Sequence, residues 1–350
     1  MFKKILFPFI SLTLFAGCAK DSPQINAVCE LKPNGTYLIK WETFPPMAGV
    51  VKAYESTNPD SFNRCSPIFE QNIQAGYQNV LAKAFTRSYL KLVFNKKYAT
   101  VIAPRNIPMQ GIFNFRDLGG YYTNDHQQMK WGKIYRSGSL SMATHYDRDL
   151  LKGLKITSVV DLRTERERDN YPNKYQASQV YNLPLRGNRH DFFFDEILSN
   201  RMNASDILVY DQNIFSFLME NNADYFIKLF DLLLNEKNYP VVLSCFLGKD
   251  RAAIASALIL LALGVNDDVI LDDFLISNDL IDYRSLFWNA DAYNYDIQEA
   301  ITALYSAHKE TLEGTLKAIE LNYGSVDNYL EKELHLNHKK REKLKSILLY

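Results

Sequence analysis

One segment restricts the fold of this chain more than any other. Tyr239-Pro240-Val241-Val242-Leu243-Ser244 is a short apolar run rich in β-branched residues, the pattern of a strand buried on both faces. Cys245 to Asp250 follow, and Arg251 to Leu263 is then a strongly apolar helix pattern closed by Gly264. A strand buried on both faces that feeds a helix belongs in a parallel sheet covered by helices. Thr157 to Leu162 is a second such strand. Between the two, Ala223 to Leu234 places Tyr225, Phe226, Leu229, Phe230 and Leu233 at helical spacing. This alternation predicts an α/β layer architecture. Asp267 to Tyr350 is mostly helical in pattern.

The chain has 350 residues, about right for two domains, and its 47% hydrophobic and 23% charged content is that of a folded protein. Residues 27–104 read as a small all-β domain of the fibronectin or immunoglobulin kind. Tyr37, Ile39 and Trp41 alternate with Leu38, Lys40 and Glu42 after the turn signal Asn34-Gly35. Val50 to Tyr54 is a further strand, and Tyr89–Phe94 and Tyr98–Ile102 flank Asn95-Lys96-Lys97 as a hairpin. Spacer and binding module are both open roles for this domain. Pro104 to Pro108 reads as a linker, and residues 105–350 form the second domain.

The first residues read as an export signal. Met1-Phe2-Lys3-Lys4 is basic, Ile5 to Ala16 is apolar but short for a membrane span, and Gly17-Cys18 closes it. Leu14-Phe15-Ala16-Gly17-Cys18 resembles a bacterial lipobox. That resemblance implies a signal peptide over 1–17, lipidation of Cys18, a polar tether over 18–26 and anchoring in the cell envelope, at the outer membrane or cell surface. An ordinary signal peptide is the alternative. The chain has four cysteines. With Cys18 lipidated and Cys245 catalytic, Cys29 and Cys65 remain as a disulfide pair suited to an exported protein, or as two free thiols.

Lys+Arg and Asp+Glu number 40 each, which argues against a nucleic-acid partner. The chemistry concentrates where the strand meets the helix. Cys245-Phe246-Leu247-Gly248-Lys249-Asp250-Arg251 puts a cysteine and an arginine five residues apart. A loop this short turns its N–H groups toward one point, and the next helix aims its positive end there. Gly248 permits the backbone angles of such a nest. Arg251 offers a planar fork for two phosphate oxygens. The same positive field favours a Cys245 thiolate, placed for attack on bound phosphate. The bland alternative is a buried structural cysteine near a surface arginine.

These residues resemble the H-C-x-x-G-K-D-R-T-G signature of the atypical bacterial tyrosine and lipid phosphatases. Asn114-Phe115-Arg116-Asp117-Leu118-Gly119-Gly120, Tyr135-Arg136-Ser137-Gly138, Val160-Asp161-Leu162-Arg163-Thr164 with Glu165, Ser277-Asn278-Asp279 and Tyr323-Gly324-Ser325 extend the resemblance over residues 106–350. It implies a cysteine-phosphatase fold that uses no cofactor or metal. Cys245 would be the nucleophile, Asp250 the general acid and Arg251 the phosphate-binding arginine. Phe246 to Lys249 would line the phosphate site, with Lys249 available to a second phosphate on an inositol ring. Lys249 and Asp250 also read as a solvated charge pair. Asp161 is a second candidate acid that reads better as a brace. The implied partner is a phosphorylated protein or a phosphoinositide.

Two positions depart from the signature. Ser244 stands where the family has histidine, and Ala252-Ala253 where it has a hydroxyl residue and glycine. The missing hydroxyl predicts slow breakdown of a phospho-enzyme. Both departures keep open a pseudophosphatase that binds phosphorylated ligands without turnover. A surface-binding protein working through the β-module is a third possibility. No histidine cluster suggests a metal. Arg186 to Asp191 followed by Phe192-Phe193-Phe194 reads equally as a substrate lid or as a loop running into a core-packed helix.

Overall fold

The computed structural model describes residues 23–83, 86–187, 190–282 and 289–350. The export signal and Cys18 lie outside them. Twelve strands form three sheets among the described residues.

The first seven strands make the β-sandwich. β1 (Gln24–Leu31), β2 (Thr36–Phe44) and β5 (Tyr77–Leu81) form one antiparallel sheet in the order β1-β2-β5. β4 (Phe69–Asn72), β3 (Val50–Ser56), β6 (Tyr89–Phe94) and β7 (Tyr98–Ile102) form the other. Alternate residues of the two sheets meet in one apolar core that includes Tyr37, Ile39, Trp41, Val51, Leu92 and Phe94. The buried Trp41 donates its indole N–H to Ile73 O at 2.7 Å, so its one polar atom is satisfied. β1 begins at Gln24, so the end of the expected tether is part of the first strand. The reason is its period of two: Ile25, Ala27, Cys29 and Leu31 face the sandwich core.

Cys29 and Cys65 are both free, which corrects the disulfide reading. Cys29 is held in register by Ile39 in the β1–β2 pair, and its half-buried side chain packs with the core. Burial pushes its thiol up to about 12. Cys65 is exposed, in the segment that joins β3 to β4 in the other sheet.

The second region is built on a five-stranded sheet in the order β11-β10-β12-β9-β8. β11 (Gln179–Asn182), β10 (Ser158–Asp161), β12 (Val241–Ser244) and β9 (Ile134–Ser137) run parallel, and the short β8 (Arg116–Asp117) is antiparallel to β9. All residues of β9, β10 and β12 are buried, as a sheet covered on both faces requires. α6 (Arg251–Leu263) follows β12 and is buried along its whole length, which explains why it is apolar all round. Gly264, left-handed at φ 85°, ends it. α7 (Asp267–Leu275) and the helices Tyr295–Tyr305, Lys309–Tyr323 and His338–Leu348 complete the helical C-terminal part. No helix among the described residues is long and apolar enough to cross a membrane.

β12 lies between β10 and β9, so whatever follows Ser244 emerges at the carboxyl edge of the sheet, flanked by two strand ends. That edge is where parallel sheets place ligands.

Candidate active site

The loop from Cys245 to Asp250 is held by its carbonyls. Ser139 N donates to Phe246 O at 2.9 Å. Asn114 Nδ2 donates to Leu247 O at 3.1 Å. Arg136 donates from Nε to Gly248 O at 2.7 Å and from Nη2 to Lys249 O at 3.1 Å. Ile254 N, in the first turn of α6, donates to Asp250 O at 2.9 Å. Five successive carbonyls are thus tied to groups outside the loop. The amides of Leu247, Gly248 and Lys249 find no acceptor among the described residues. A strip of backbone whose carbonyls all turn outward presents its N–H groups inward, which makes an anion nest. Gly248 is required twice over. Its φ is 72°, and a Cβ there would lie 2.6 Å from the Ser137 carbonyl carbon.

The tethers are themselves fixed by a buried charge cluster. Arg136 Nη1 donates to Asp273 Oδ2 at 2.8 Å, and Arg116 Nε donates to Asp273 Oδ1 at 3.1 Å. Asn114 also bonds Arg116 and Ser277 Oγ. Burial works against an ionised Asp273, but Arg116 and Arg136 outweigh it and hold the carboxyl well below the usual range. Burial, with the like charge of Arg116, pulls Arg136 down to about 9.

Arg251, the first residue of α6, is clamped at one edge. Its Nη1 and Nη2 donate to Glu167 Oε2 and Oε1, both at 2.6 Å. The remaining Nη1 proton faces Leu162 O at 3.4 Å, and Nε is buried without an acceptor among the described residues. Of the five guanidinium protons, those on the Nε–Nη2 edge are left, and they form the fork that grips two phosphate oxygens. Glu167 is fixed by the capping box of α2 (Glu165–Asn170), where Thr164 N donates to its Oε2 at 2.7 Å. Burial opposes its ionisation, yet the hydrogen bonds and charge of Arg251 hold the carboxyl at about 2. Cys245 and Arg251 are both buried, at 2% and 1% exposure.

Residues 107–350 match the family model described as "Tyrosine phosphatase family". The chain belongs to the tyrosine phosphatase family. It is therefore a member of a group of phosphoric monoester hydrolases. A Cupriavidus necator protein provisionally named as a tyrosine-protein phosphatase is 27% identical over 249 residues, covering 68% of this chain and 88% of its own. The triple specificity protein phosphatase PtpB of Mycobacterium tuberculosis is 28% identical over 264 residues, covering 65% of this chain and 93% of its own. The core catalytic domain of the PP-IP phosphatase SIW14 from S. cerevisiae, solved with citrate, aligns over 62% of this chain and 95% of its own. At 18% identity and a TM-score of 0.27, it is too distant to carry an argument.

The structure of this phosphatase sorts the residues expected from sequence. Asp161 is a brace. Its carboxylate accepts from Arg163 Nη2 at 2.7 Å and from Asn173 Nδ2 at 3.0 Å, and Arg163 in turn donates to Ser139 Oγ. Lys249 and Asp250 are not a solvated pair: both are buried, and Lys249 Nζ lies 3.0 Å from Asp250 Oδ1 and 3.6 Å from Asp211 Oδ2. Lys249 Nζ also donates to Ser306 O at 3.0 Å, which corrects the idea that it stands ready for a second phosphate. A desolvated ammonium must be compensated. Burial disfavours its charge, but Asp211 and Asp250 more than restore it. The Ser244 hydroxyl donates to Gly138 O at 2.9 Å and ties β12 to the turn after β9. Ala252 is fully buried and supplies no hydroxyl.

The loop is covered. Phe246 and Leu247 pack with Phe193 and Phe194 of α3 (His190–Leu198), Ile207 of α4 (Ala204–Glu220) and Ile301 of the helix Tyr295–Tyr305. In this arrangement Phe193 and Phe194 are a core-packed helix start. Asn188 and Arg189 of the aromatic-flanked segment lie outside the described residues.

Sequence reasoning missed Glu167 and Asp273. Glu167 carried a signal: Thr164-x-x-Glu167 is a capping-box pattern beside the Asp-Leu-Arg segment. Asp273 sits among Ile270, Leu271 and Phe274 on an otherwise apolar face, the mark of a buried acid with a partner.

Proposed function

We propose that this phosphatase hydrolyses phosphomonoesters through a phospho-cysteine at Cys245. The observation that supports it is the outward tethering of the carbonyls of residues 246–250 around that cysteine. The nest and the free edge of Arg251 hold three phosphate oxygens. The Cys245 thiolate attacks phosphorus in line, the S–P bond forms, and the ester P–O bond breaks. Asp250 gives its proton to the departing oxygen. Water then attacks phosphorus, returns a proton to Asp250, and releases phosphate and the thiolate. Asp250 must leave its ion pair with Lys249 to hold a proton.

The substrate class is phosphotyrosine, with phosphoserine, phosphothreonine and phosphoinositide as further candidates. Burial of Lys249 weighs toward phosphoprotein. Turnover of an aryl phosphate should vanish in Cys245→Ser and fall by roughly 10³-fold or more in Arg251→Ala, whose electrostatic contribution is made in the transition state. Ala252 favours accumulation of the intermediate, so intact mass after mixing should show a phosphate adduct in the wild type and none in Cys245→Ser. Wild type without turnover that still binds phosphorylated peptide through Arg251 would make this a pseudophosphatase.

The lipid anchor belongs to the same proposal. Cys18 lipidation would place the enzyme at the cell envelope, and Cys18→Ala should shift it from the detergent phase to the aqueous phase. An unchanged partition would remove the anchor.

A further inference from the structure

Helix α4 carries an acid on its buried face. Ile207, Asp211, Ile214, Phe215 and Leu218 follow helical spacing and are all buried, Asp211 at 4% exposure. A carboxylate in such a stripe needs partners. Asp211 Oδ2 lies 3.6 Å from Lys249 Nζ. His308 Nε2 lies 3.8 Å from the same oxygen and 2.8 Å from Ala303 O, so that nitrogen carries its proton toward a carbonyl.

Lys249 is fixed where it stands. It is buried, and its Nζ donates to Ser306 O at 3.0 Å. The ammonium thus sits between two carboxylates, Asp211 Oδ2 at 3.6 Å and Asp250 Oδ1 at 3.0 Å. Burial works against its charge, and Asp211, followed by Asp250, restores it. The two acids are placed differently. Asp250 precedes Arg251 in the phosphate loop, whereas Asp211 comes from a helix packed over that loop. To donate a proton, Asp250 must first be neutral, and a neutral Asp250 no longer compensates Lys249. A buried ammonium without a counter-charge is strongly disfavoured. With Asp250 as its sole counter-ion, Lys249 would hold that carboxyl ionised. Arg251 also acts on Asp250, and Glu167 engages Arg251 with two bonds of 2.6 Å.

We propose that Asp211 is a positioning residue for the acid step: it remains the counter-ion of Lys249 while Asp250 carries the proton for the departing oxygen. This rests on the reading of Asp250 as general acid in the phospho-cysteine mechanism. Asp211 touches no reacting atom and acts through Lys249. The lysine stays charged and anchored to Ser306, and the acid is released from it.

The test uses the full chain and reads kcat/KM, which covers the steps up to transfer onto Cys245 and excludes slow breakdown of the phospho-enzyme. Phenyl phosphate has a leaving oxygen that needs a proton, and dinitrophenyl phosphate has one that does not. Asp250→Asn sets the signature of a lost acid: about 10²-fold or more on phenyl phosphate and less than about threefold on dinitrophenyl phosphate. Asp211→Asn should reproduce that selective loss. Adding Lys249→Met to Asp211→Asn should bring phenyl phosphate back to within about tenfold of wild type, because no ammonium then holds Asp250 ionised. Equal losses on both substrates in Asp211→Asn, no loss, or no recovery in the double variant would each overturn the role of Asp211 and leave the mechanism standing. A wild type without turnover, or equal losses on both substrates in Asp250→Asn, would overturn the mechanism and this proposal with it. If Asp211→Asn does not fold, Lys249→Met decides. It should keep phenyl phosphate within about tenfold of wild type, and a selective loss there would show that the lysine assists the acid and does not restrain it.

Discussion

The sandwich core and the carboxyl edge of the parallel sheet bury side chains of opposite kinds. The first encloses Ile39, Trp41, Val51 and Phe94, and the Trp41 indole is satisfied by one hydrogen bond. The second encloses Arg116, Arg136, Asp161, Arg163, Lys249, Arg251 and Asp273, all nearly inaccessible. Apolar burial stabilises without specifying direction. Buried ion pairs add little net stability, because desolvation consumes most of the attraction, but each fixes an orientation. Here the oriented groups are backbone carbonyls of the phosphate loop. The sandwich is built to stay folded, and the sheet edge is built to hold one loop in one shape.

That contrast can be broken most directly at Asp273. Asp273→Asn leaves Arg116 and Arg136 buried against a neutral group, and should cost about 3–5 kcal/mol in denaturant unfolding. Turnover should fall with it, in kcat more than in KM. Unchanged kcat in folded protein would show that the tethers do not shape the nest. Ile39→Ala removes buried apolar volume and should cost about 2–4 kcal/mol. Aryl phosphate kcat/KM should not change while the variant is folded, and a loss of activity would mean that the two regions are coupled.

Glu167→Gln addresses the arginine clamp. Folding holds this carboxyl at about 2 against an ordinary 4.5. A depressed acid contributes stability above its unfolded pKa, and that contribution is lost as pH falls from about 4.5 toward 2. The wild type should therefore lose more stability across that window than Glu167→Gln, and equal pH profiles would remove the clamp. Ser244→Ala is the mildest change. Loss of one buried hydrogen bond to Gly138 should cost about 1 kcal/mol and slow turnover modestly. Ala252→Thr restores the family's hydroxyl and should abolish the phosphate adduct, at a cost of about 1–3 kcal/mol for enlarging a fully buried side chain.

The α/β layer and its decisive loop were legible because both rest on local pattern. Val241 to Ser244 is fully buried as its β-branched run implied, and α6 spans the residues its apolar run marked. The sandwich hairpin Tyr89–Ile102 was legible from period two. β4 and β5 were not, because short strands with mixed faces carry little periodicity. The disulfide pairing failed because cysteine counting does not show that Cys29 packs against the sandwich core while Cys65 is exposed in the β3–β4 connection.

By itself the sequence determined that Cys245 to Arg251 joins a doubly buried strand to an apolar helix, since hydrophobic period and chain order decide that locally. Only the tertiary structure decided what holds the loop. Asn114, Arg136, Glu167 and Asp273 come from four separate stretches of chain, and nothing in their own neighbourhoods names their partners. It also decided the fate of Lys249, which its position suggested for substrate and which packing turned inward to Asp211, Asp250 and Ser306. A charge at a loop is free to face solvent or ligand only if no folded element closes over it, and closure is a property of the whole chain.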